Sequence, residues 1–298
     1  MSVTSDPGSC AVCGGDRWRT KHDGPIRHGT FGKVVDAKVF ECETCGVGYL
    51  PTSIGLQPDF YAGAEYRQTV GERPDPEGFF RLHDSEQLER YGLLRDVRLR
   101  GRTIAEIGCA GGSFLDGLKG FAATTVGIEP SLPYHDSLRA RGHQVFGDIE
   151  SANEHWQGRI DLAVCFSVIE HVPNPVAFLR DARALLAPGA HLLLSTPNAR
   201  DILLEIGCDA YRRFFYRSVH TYYFDVHSLK EAAVRAGFAT VEAQYVHRFN
   251  FGNFTSWLSS SRPVGNAHST VLGSRFDRVW KAELEESGRA DYLYAWLK

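Results

Sequence analysis

AEIGCAGGSF, at residues 105–114, joins a predicted strand to a predicted helix through a glycine-rich turn. The apolar segment TIAEIG before the turn is typical of a buried strand, and GSFLDGLKGF after it is typical of a helix. Glycines at this position let a ligand approach the backbone at the carboxyl end of the strand. The dinucleotide fingerprint GxGxxG does not fit, because the segment reads ExGxAxG from Glu106 to Gly112. The acid at the end of the strand therefore favours a cationic ligand group over a pyrophosphate.

Strand and helix patterns continue to alternate after this turn. Further strands are predicted at TTVGIEP (124–130), HQVFGD (143–148), DLAVCFSVIEH (161–171), HLLLSTPN (191–198), ATVEAQYVHRF (239–249) and ADYLYAWLK (290–298). An irregular insert at about 250–288 precedes the last of them. Such alternation is typical of a parallel sheet that is covered by helices on both faces.

The polar strand ends over residues 101–248 resemble, in order, those of the class I S-adenosylmethionine-dependent methyltransferases. The resemblance implies an α/β, Rossmann-like, seven-stranded methyltransferase sheet that binds S-adenosylmethionine. It implies that Glu106 faces the methionine amino group, that Glu129 holds the ribose hydroxyls, and that Asp148 contacts the adenine. The expected cofactor-binding residues are Glu106, Gly108, Ala110, Gly112, Phe114, Glu129, Pro130, Asp148, Ile149, Phe166 and Ser167. An NAD-type Rossmann domain is the alternative.

Two CxxC pairs lie near the N-terminus, Cys10 with Cys13 and Cys42 with Cys45. A glycine follows each pair, which allows a tight turn that directs both thiolates at one ion. The N-terminal residues show no secretory signal, so we expect metal ligands rather than disulfides. The spacing predicts a four-cysteine zinc ribbon with structural zinc; unrelated buried cysteines or a redox motif are the alternatives.

The charge balance argues against nucleic acid as a partner. Lys and Arg number 33 against 36 Asp and Glu, and residues 1–50 hold six of each sign. A chain without a basic excess attracts phosphate backbones poorly. No apolar run reaches the roughly 18 residues that a membrane span needs. We expect a cytoplasmic protein with a small-molecule substrate.

Three regions are predicted along the chain: a zinc-ribbon module at 1–55, a helical connector that covers the active site at 56–98, and the methyltransferase domain at 99–298. Within the connector, Phe80, Leu88, Tyr91 and Leu94 suit one face of a helix.

The zinc module followed by FYAGAEY (60–66) resembles the methyltransferases that modify deoxysugars and surface glycans. That resemblance implies a sugar or nucleotide-sugar acceptor. Long sugar C-methyltransferases carry a further C-terminal α/β domain, so O-methylation is favoured here. A sugar C-methyltransferase, a zinc-ribbon RNA methyltransferase and a partner-binding module are the alternatives. The identity of the acceptor and the oligomeric state stay open.

Removing the proton of an acceptor hydroxyl calls for a base that titrates near neutral pH, such as histidine. His220 and Tyr222 lie in YRRFFYRSVHTYYFD (211–225), whose arginines and aromatics suit an acceptor, or else form an ordinary surface helix. We expect His220 to be the base ahead of His171, which is either a base or a helix-capping polar residue. Tyr61 and Tyr66, in the connector, are expected to orient the acceptor.

A divalent cation beside His171 is not expected. Glu170 and His171 resemble the end of an ExxEH segment that binds a divalent cation in quinone-pathway O-methyltransferases. Ser167 stands here in place of the first acid.

Overall fold

The computed structural model describes residues 7–57, 59–266 and 273–298. Its strands are β1 (Trp18–Arg27), β2 (Val34–Cys42), β3 (Gly48–Tyr49), β4 (Thr103–Ile107), β5 (Thr124–Ile128), β6 (Gln144–Phe146), β7 (Ile160–Phe166), β8 (Leu186–Pro197), β9 (Tyr222–Tyr223), β10 (Val241–Val246) and β11 (Tyr292–Leu297). Its helices are α1 (Glu65–Thr69), α2 (Pro76–His83), α3 (Gln87–Leu93), α4 (Ser113–Leu118), α5 (His135–Ala140), α6 (Ile149–Trp156), α7 (Pro175–Leu185), α8 (Ile202–Glu205), α9 (Asp209–Phe215), α10 (Val226–Arg235), α11 (Phe251–Ser260) and α12 (Ser274–Glu286).

The larger sheet has seven strands in the order β10-β11-β8-β7-β4-β5-β6. Strands β4 to β8 run parallel, and β11 runs antiparallel between β8 and β10. The residues of β4 and β7 are almost all buried, as expected of parallel strands with helices on both faces. The predicted Rossmann-like, seven-stranded methyltransferase sheet is confirmed, and its strand order brings the carboxyl ends of β4, β5 and β7 to one edge.

A smaller sheet of order β1-β2-β3-β9 joins the N-terminal residues to the rest of the protein. β1 and β2 form an antiparallel hairpin, and the two-residue strand β3 pairs with β9, which follows β8 in the chain. Tyr49 stacks on Tyr222 across that pairing, with ring centroids 5.2 Å apart. The cysteine-containing module is thereby hydrogen-bonded to β9, which lies in the segment 211–225 that the sequence indicates as the acceptor side.

Two details of the sequence-based prediction are wrong. Leu88 is 76% exposed rather than on a buried helical face, because a 3-10 turn at Asp84–Glu86 separates α2 from α3 and changes their phase. The insert after residue 250 is not irregular: it contains α11 and α12, which pack through aromatic side chains such as Phe251 and Trp280, with centroids 5.0 Å apart.

None of the helices in the described ranges is both long enough and apolar enough to cross a bilayer.

Candidate active site

A cavity of about 1060 Å³ opens at the carboxyl ends of β4, β5 and β7, and the connector contributes part of its wall. Most of the expected cofactor-binding residues line it: Glu106, Gly108, Ala110, Phe114, Glu129, Pro130, Asp148, Ile149, Phe166 and Ser167. Gly112 is not in the lining; it begins α4 with φ of +85°, and a Cβ there would lie 2.4 Å from Leu138. The sequence therefore predicted which strand ends meet at this cavity.

Glu106 is a buried acid without a partner in the cavity wall. Its side chain is 3% exposed, and its Oε2 has no hydrogen-bond partner among the described residues. Burial raises the pKa of Glu106 to about 8, although the charge of Arg90 opposes that shift. At neutral pH this carboxyl group is therefore largely protonated. A cationic ligand group would favour its ionised form and pair with it.

Arg90, which the sequence analysis did not single out, lines the same cavity. Its guanidinium lies 4.7 Å from the ring centroid of Phe166, at the end of β7. A carboxylate at Glu106 and a guanidinium at Arg90 together suit a zwitterion such as the amino-acid end of methionine. The sequence could have indicated Arg90 only through the face of α3 that is directed at the cavity. Placing Leu88 on the buried face of that helix hid this signal.

Glu129 is held rigidly at the end of β5. Its two carboxylate oxygens accept hydrogen bonds from the backbone N–H groups of Ala110, at 2.7 Å, and Ser131, at 2.8 Å. Each oxygen keeps a second lone pair, which is what a pair of vicinal hydroxyls would need. Asp148 caps α6 through one oxygen, which accepts from Ser151 N–H at 2.7 Å.

Ser167 follows β7 with φ of +55°, an uncommon conformation for a residue other than glycine. Its hydroxyl hydrogen-bonds to that of Tyr292 at 2.8 Å, and both residues line the cavity. The residues after this turn include His171, which lines the cavity, and Glu170, which does not.

His171 lies in the cavity wall with one ring nitrogen free. Its Nδ1 lies 2.9 Å from the carbonyl oxygen of Val219, so this nitrogen carries the hydrogen and donates it. The Tyr61 hydroxyl lies 2.9 Å from the same nitrogen. Nε2 therefore holds the lone pair. Burial lowers the pKa of His171 to about 3, and the charge of Arg217 adds to that shift, so the ring is neutral at pH 7.

His220 lies behind His171 rather than in the cavity lining. The two rings meet edge to face, with centroids 4.8 Å apart. His220 is 3% exposed, and its Nδ1 has no hydrogen-bond partner in the described part of the chain. Burial lowers the pKa of His220 well below its usual value. His220 thus supports the ring of His171 but does not itself reach the cavity wall.

The two tyrosines expected at the site differ in position. Tyr66 lines the cavity, and its ring centroid lies 5.7 Å from that of His171. Tyr222 is not in the lining, and its hydroxyl donates to the carbonyl oxygen of Pro173 at 3.1 Å. Tyr61 lies beside Tyr66 and lines the same wall. The connector therefore brings two phenol groups to the part of the cavity wall that contains His171.

The four N-terminal cysteines form one cluster. The Sγ atoms of Cys10 and Cys45 lie 3.7 Å apart, and those of Cys13 and Cys42 lie 3.5 Å apart. A disulfide would require about 2.05 Å. Four thiolates at about 2.3 Å from one Zn²⁺ in a tetrahedron are separated by about 3.8 Å, which these distances approach. The donor set and its spacing fit a closed four-thiolate site.

Glu170, His171 and His220 form a second group of potential ligands, with one atom of each within 4.8 Å of the others. The positive charge of Arg217 lowers the pKa of both histidines, and the same charge would oppose a cation at this position. Ser167, which stands where the first acid of an ExxEH segment would be, is hydrogen-bonded to Tyr292 and is not part of the group.

Comparisons with known proteins agree on the type of domain. A family model described as a methyltransferase domain matches residues 81–243, more than half of the chain. A solved structure of a SAM-dependent methyltransferase from Archaeoglobus fulgidus covers 74% of this chain and 95% of its own, with a TM-score of 0.51 and 16% identity. At that identity the likeness shows the fold.

Among curated relatives, proteins named ubiquinone biosynthesis O-methyltransferase are similar in sequence. The protein of that name from Thiobacillus denitrificans is 27% identical in an alignment that covers 56% of this chain and 78% of the relative. The one from Pseudomonas paraeruginosa is 27% identical in an alignment that covers 47% of this chain and 65% of the relative. These relatives are named for a small-molecule acceptor, and their names do not refer to sugars.

Proposed function

Because this chain belongs to the methyltransferase domain family and is an S-adenosylmethionine-dependent methyltransferase of small molecules, we propose that it methylates a hydroxyl oxygen of a sugar, nucleotide-sugar or glycan. The observation that carries the proposal is the acceptor end of the cavity, where Tyr61, Tyr66, His171 and Arg217 provide phenol faces and polar groups together. Aromatic faces and hydrogen-bonding groups in one wall suit a sugar ring. The names of the relatives support oxygen as the acceptor atom.

An intermediate of ubiquinone biosynthesis is the second candidate acceptor, since the relatives carry that name. Sequence identity of 27% is compatible with a different acceptor on the same type of domain. The polar and charged character of the acceptor end favours the sugar.

S-adenosylmethionine, when bound, supplies a methyl group on a sulfonium and leaves as S-adenosylhomocysteine. We propose that Glu106 and Arg90 hold its amino and carboxylate groups, and that Glu129 holds the ribose hydroxyls. Asp148 and Ile149 would contact the adenine, and Phe166 with Ser167 would border the methionine side chain. The protein's main contributions are then alignment of the acceptor oxygen and exclusion of water.

For the general base we propose His171 ahead of His220, which reverses the preference drawn from the sequence. His171 lines the cavity and keeps Nε2 free, whereas His220 lies behind it. In the protein without ligand, burial lowers the pKa of His171 to about 3, so its Nε2 is a weak base there. The Val219 carbonyl, which accepts from Nδ1, would stabilise the imidazolium that forms when His171 takes the hydroxyl proton. An anionic acceptor beside Arg217 would also offset the positive charge that contributes to the low pKa. Tyr66 would orient the acceptor; Tyr222, bonded to Pro173, would act only by supporting the fold.

We also propose that Cys10, Cys13, Cys42 and Cys45 hold one structural zinc ion. The ion would fix the turns that lead into β1 and β3 and so stabilise the sheet that β9 completes. No proton transfer or methyl transfer is assigned to it. A cytoplasmic location remains a prediction from the sequence.

The decisive experiment is transfer of labelled methyl from S-adenosylmethionine to a panel of neutral sugars, sugar phosphates, nucleotide-sugars, phenols and RNA. We expect label in an O-methyl group of a sugar member, with His171→Ala abolishing most of it. Transfer to phenols alone would select the second candidate. Label on carbon would instead establish a sugar C-methyltransferase, and label in RNA would remove the small-molecule assignment.

A further inference from the structure

Two partly buried arginines lie together at the proposed acceptor end of the cavity, where Arg217 is in the lining and Arg27 is behind it. Arg27 ends β1, and Arg217 precedes β9, so they come from regions far apart in the chain. Their backbones run side by side: the Arg27 N–H donates to the Tyr216 carbonyl at 3.0 Å, and the Ser218 N–H donates to the Arg27 carbonyl at 2.9 Å. The β1–β2 hairpin thus delivers a second guanidinium to a site that already has one.

Neither guanidinium has an acidic partner. Across the described residues, Arg27 and Arg217 form no ion pair, and the buried Nε of each has no hydrogen-bond partner. Burial and the charge of Arg217 lower the pKa of Arg27 to about 9. Phe214 offsets part of this, because its ring centroid lies 3.9 Å from the Arg27 guanidinium carbon. Two like charges held together in this way are costly unless an anion joins them.

Arg217 differs from the other arginines in the cavity wall. Arg67, Arg90 and Arg248 also line the cavity, and each lies within 4 Å of a carboxylate. Each of these three charges has a carboxylate within ion-pair distance, whereas Arg217 has none in the described part of the chain. The charge of Arg217 does act on Glu170, but burial dominates there and raises the pKa of Glu170 to about 7.

The backbone of Arg217 is fixed on both sides. Its N–H donates to the Tyr223 hydroxyl at 2.9 Å, and that hydroxyl donates to the Arg217 carbonyl at 3.1 Å. The site is therefore arranged before any ligand binds.

We propose that the acceptor carries a phosphoryl group that Arg217 binds directly, with Arg27 supplying a second positive charge behind it. A phosphate monoester carries a charge of about −1.5 to −2 at pH 7, which matches two guanidiniums better than a single carboxylate does. A sugar 1-phosphate or a nucleoside-diphosphate sugar meets this requirement. The inference deepens the proposed function and rests on it for the position of the acceptor.

The test is calorimetric binding of four probes to protein saturated with S-adenosylhomocysteine: glucose 1-phosphate, pyrophosphate, glucuronate and methyl glucoside. We expect both phosphoryl probes to bind more tightly than glucuronate, and methyl glucoside to bind weakest. Arg217→Gln should weaken the phosphoryl probes by about 10- to 100-fold, the range for a lost hydrogen bond to a charged group. Arg213→Gln, in the same segment but exposed, is the matched control and should leave all four affinities unchanged.

Thermal unfolding separates ligand binding from a structural role. Without ligand, Arg217→Gln should keep or raise Tm, because it removes an uncompensated charge, and glucose 1-phosphate should raise Tm of the wild type only. If Arg217→Gln fails to fold, Arg27→Gln takes its place, with a smaller loss of phosphoryl affinity expected.

The proposal would be overturned if the wild type bound phosphoryl and neutral probes equally or preferred glucuronate. It would also be overturned if Arg217→Gln lowered Tm without changing the affinity for the phosphoryl probes. The proposed function fails separately, by the absence of methyl transfer to any sugar in the labelled panel. Transfer to neutral sugars alone would overturn the phosphoryl inference and leave the proposed function intact.

Discussion

The affinity for S-adenosylmethionine should fall as pH falls below about 8, and Glu106→Gln should remove that dependence. The free protein holds Glu106 largely protonated at neutral pH, because burial raises its pKa to about 8. A bound ammonium group would favour the ionised carboxylate and so lower its pKa, which requires the loss of one proton on binding. Affinity therefore increases with pH up to the pKa of the free protein.

The size of the effect follows from that pKa. With a value of about 8, roughly a tenth of the protein has Glu106 ionised at pH 7 and roughly a hundredth at pH 6. The dissociation constant should consequently rise about tenfold between pH 7 and pH 6, equal to ~1.4 kcal/mol of binding free energy. At pH 7, about 0.9 of a proton should be released for each molecule bound.

Calorimetry in two buffers with different ionisation enthalpies measures both quantities. Glu106→Gln should bind with lower affinity, release no proton and show a flat profile between pH 6 and pH 7. Glu150→Gln, which changes an acid in the cavity wall near Asp148, should keep the wild-type slope. A flat profile for the wild type, or an unchanged slope in Glu106→Gln, would refute the assignment of Glu106 to the amino group.

Three further outcomes test the remaining assignments. The protein should contain about one zinc ion by metal analysis. Cys42→Ser should lose the zinc and have a lower Tm, whereas Cys208→Ser, outside the cluster, should keep both, and zinc retained in Cys42→Ser would contradict the site. Glu129→Ala should weaken S-adenosylmethionine binding by about 1.5–3 kcal/mol in calorimetry, the range for hydrogen bonds to a charged group, and preserved affinity would exclude its ribose role. His171→Ala should lower kcat by about 10²–10⁴-fold with nearly unchanged cofactor affinity, and a larger loss in His220→Ala would return the role of base to His220.

The sequence predicted the large sheet, and it predicted that polar residues at the ends of its strands lie together, because both depend on local patterns. Glu106 and Glu129 each end an apolar strand, and parallel strands bring such ends to one edge of a sheet. The acceptor end depends on contacts that no local pattern carries. β3 and β9 have two residues each, too few for a periodicity to be visible. Arg27 and Arg217 are brought side by side by an isolated bridge, which likewise has no sequence pattern.

The ranking of the two histidines could not be read from the sequence for a similar reason. His171 and His220 both follow strands of the expected order, and the choice between them depends on which ring reaches the cavity. That is a matter of side-chain packing: the edge-to-face contact of the rings and the Val219 carbonyl determine it. Arg90 was missed because the break between α2 and α3 shifts the helical phase.

The pairing of β3 with β9 means that the proposed acceptor preference would depend partly on the N-terminal module, whereas the proposed cofactor contacts lie outside that module. Gly48 opposes Tyr223 so closely that a Cβ would lie 3.0 Å from the Tyr223 Cβ, and β1 of the same sheet places Arg27 beside Arg217. With the acceptor placed as proposed above, exchange of the first fifty residues between related enzymes would transfer part of the acceptor preference, provided that Gly48 came with them. With zinc held as proposed above, its removal by a chelator would weaken acceptor binding before it weakened binding of S-adenosylmethionine.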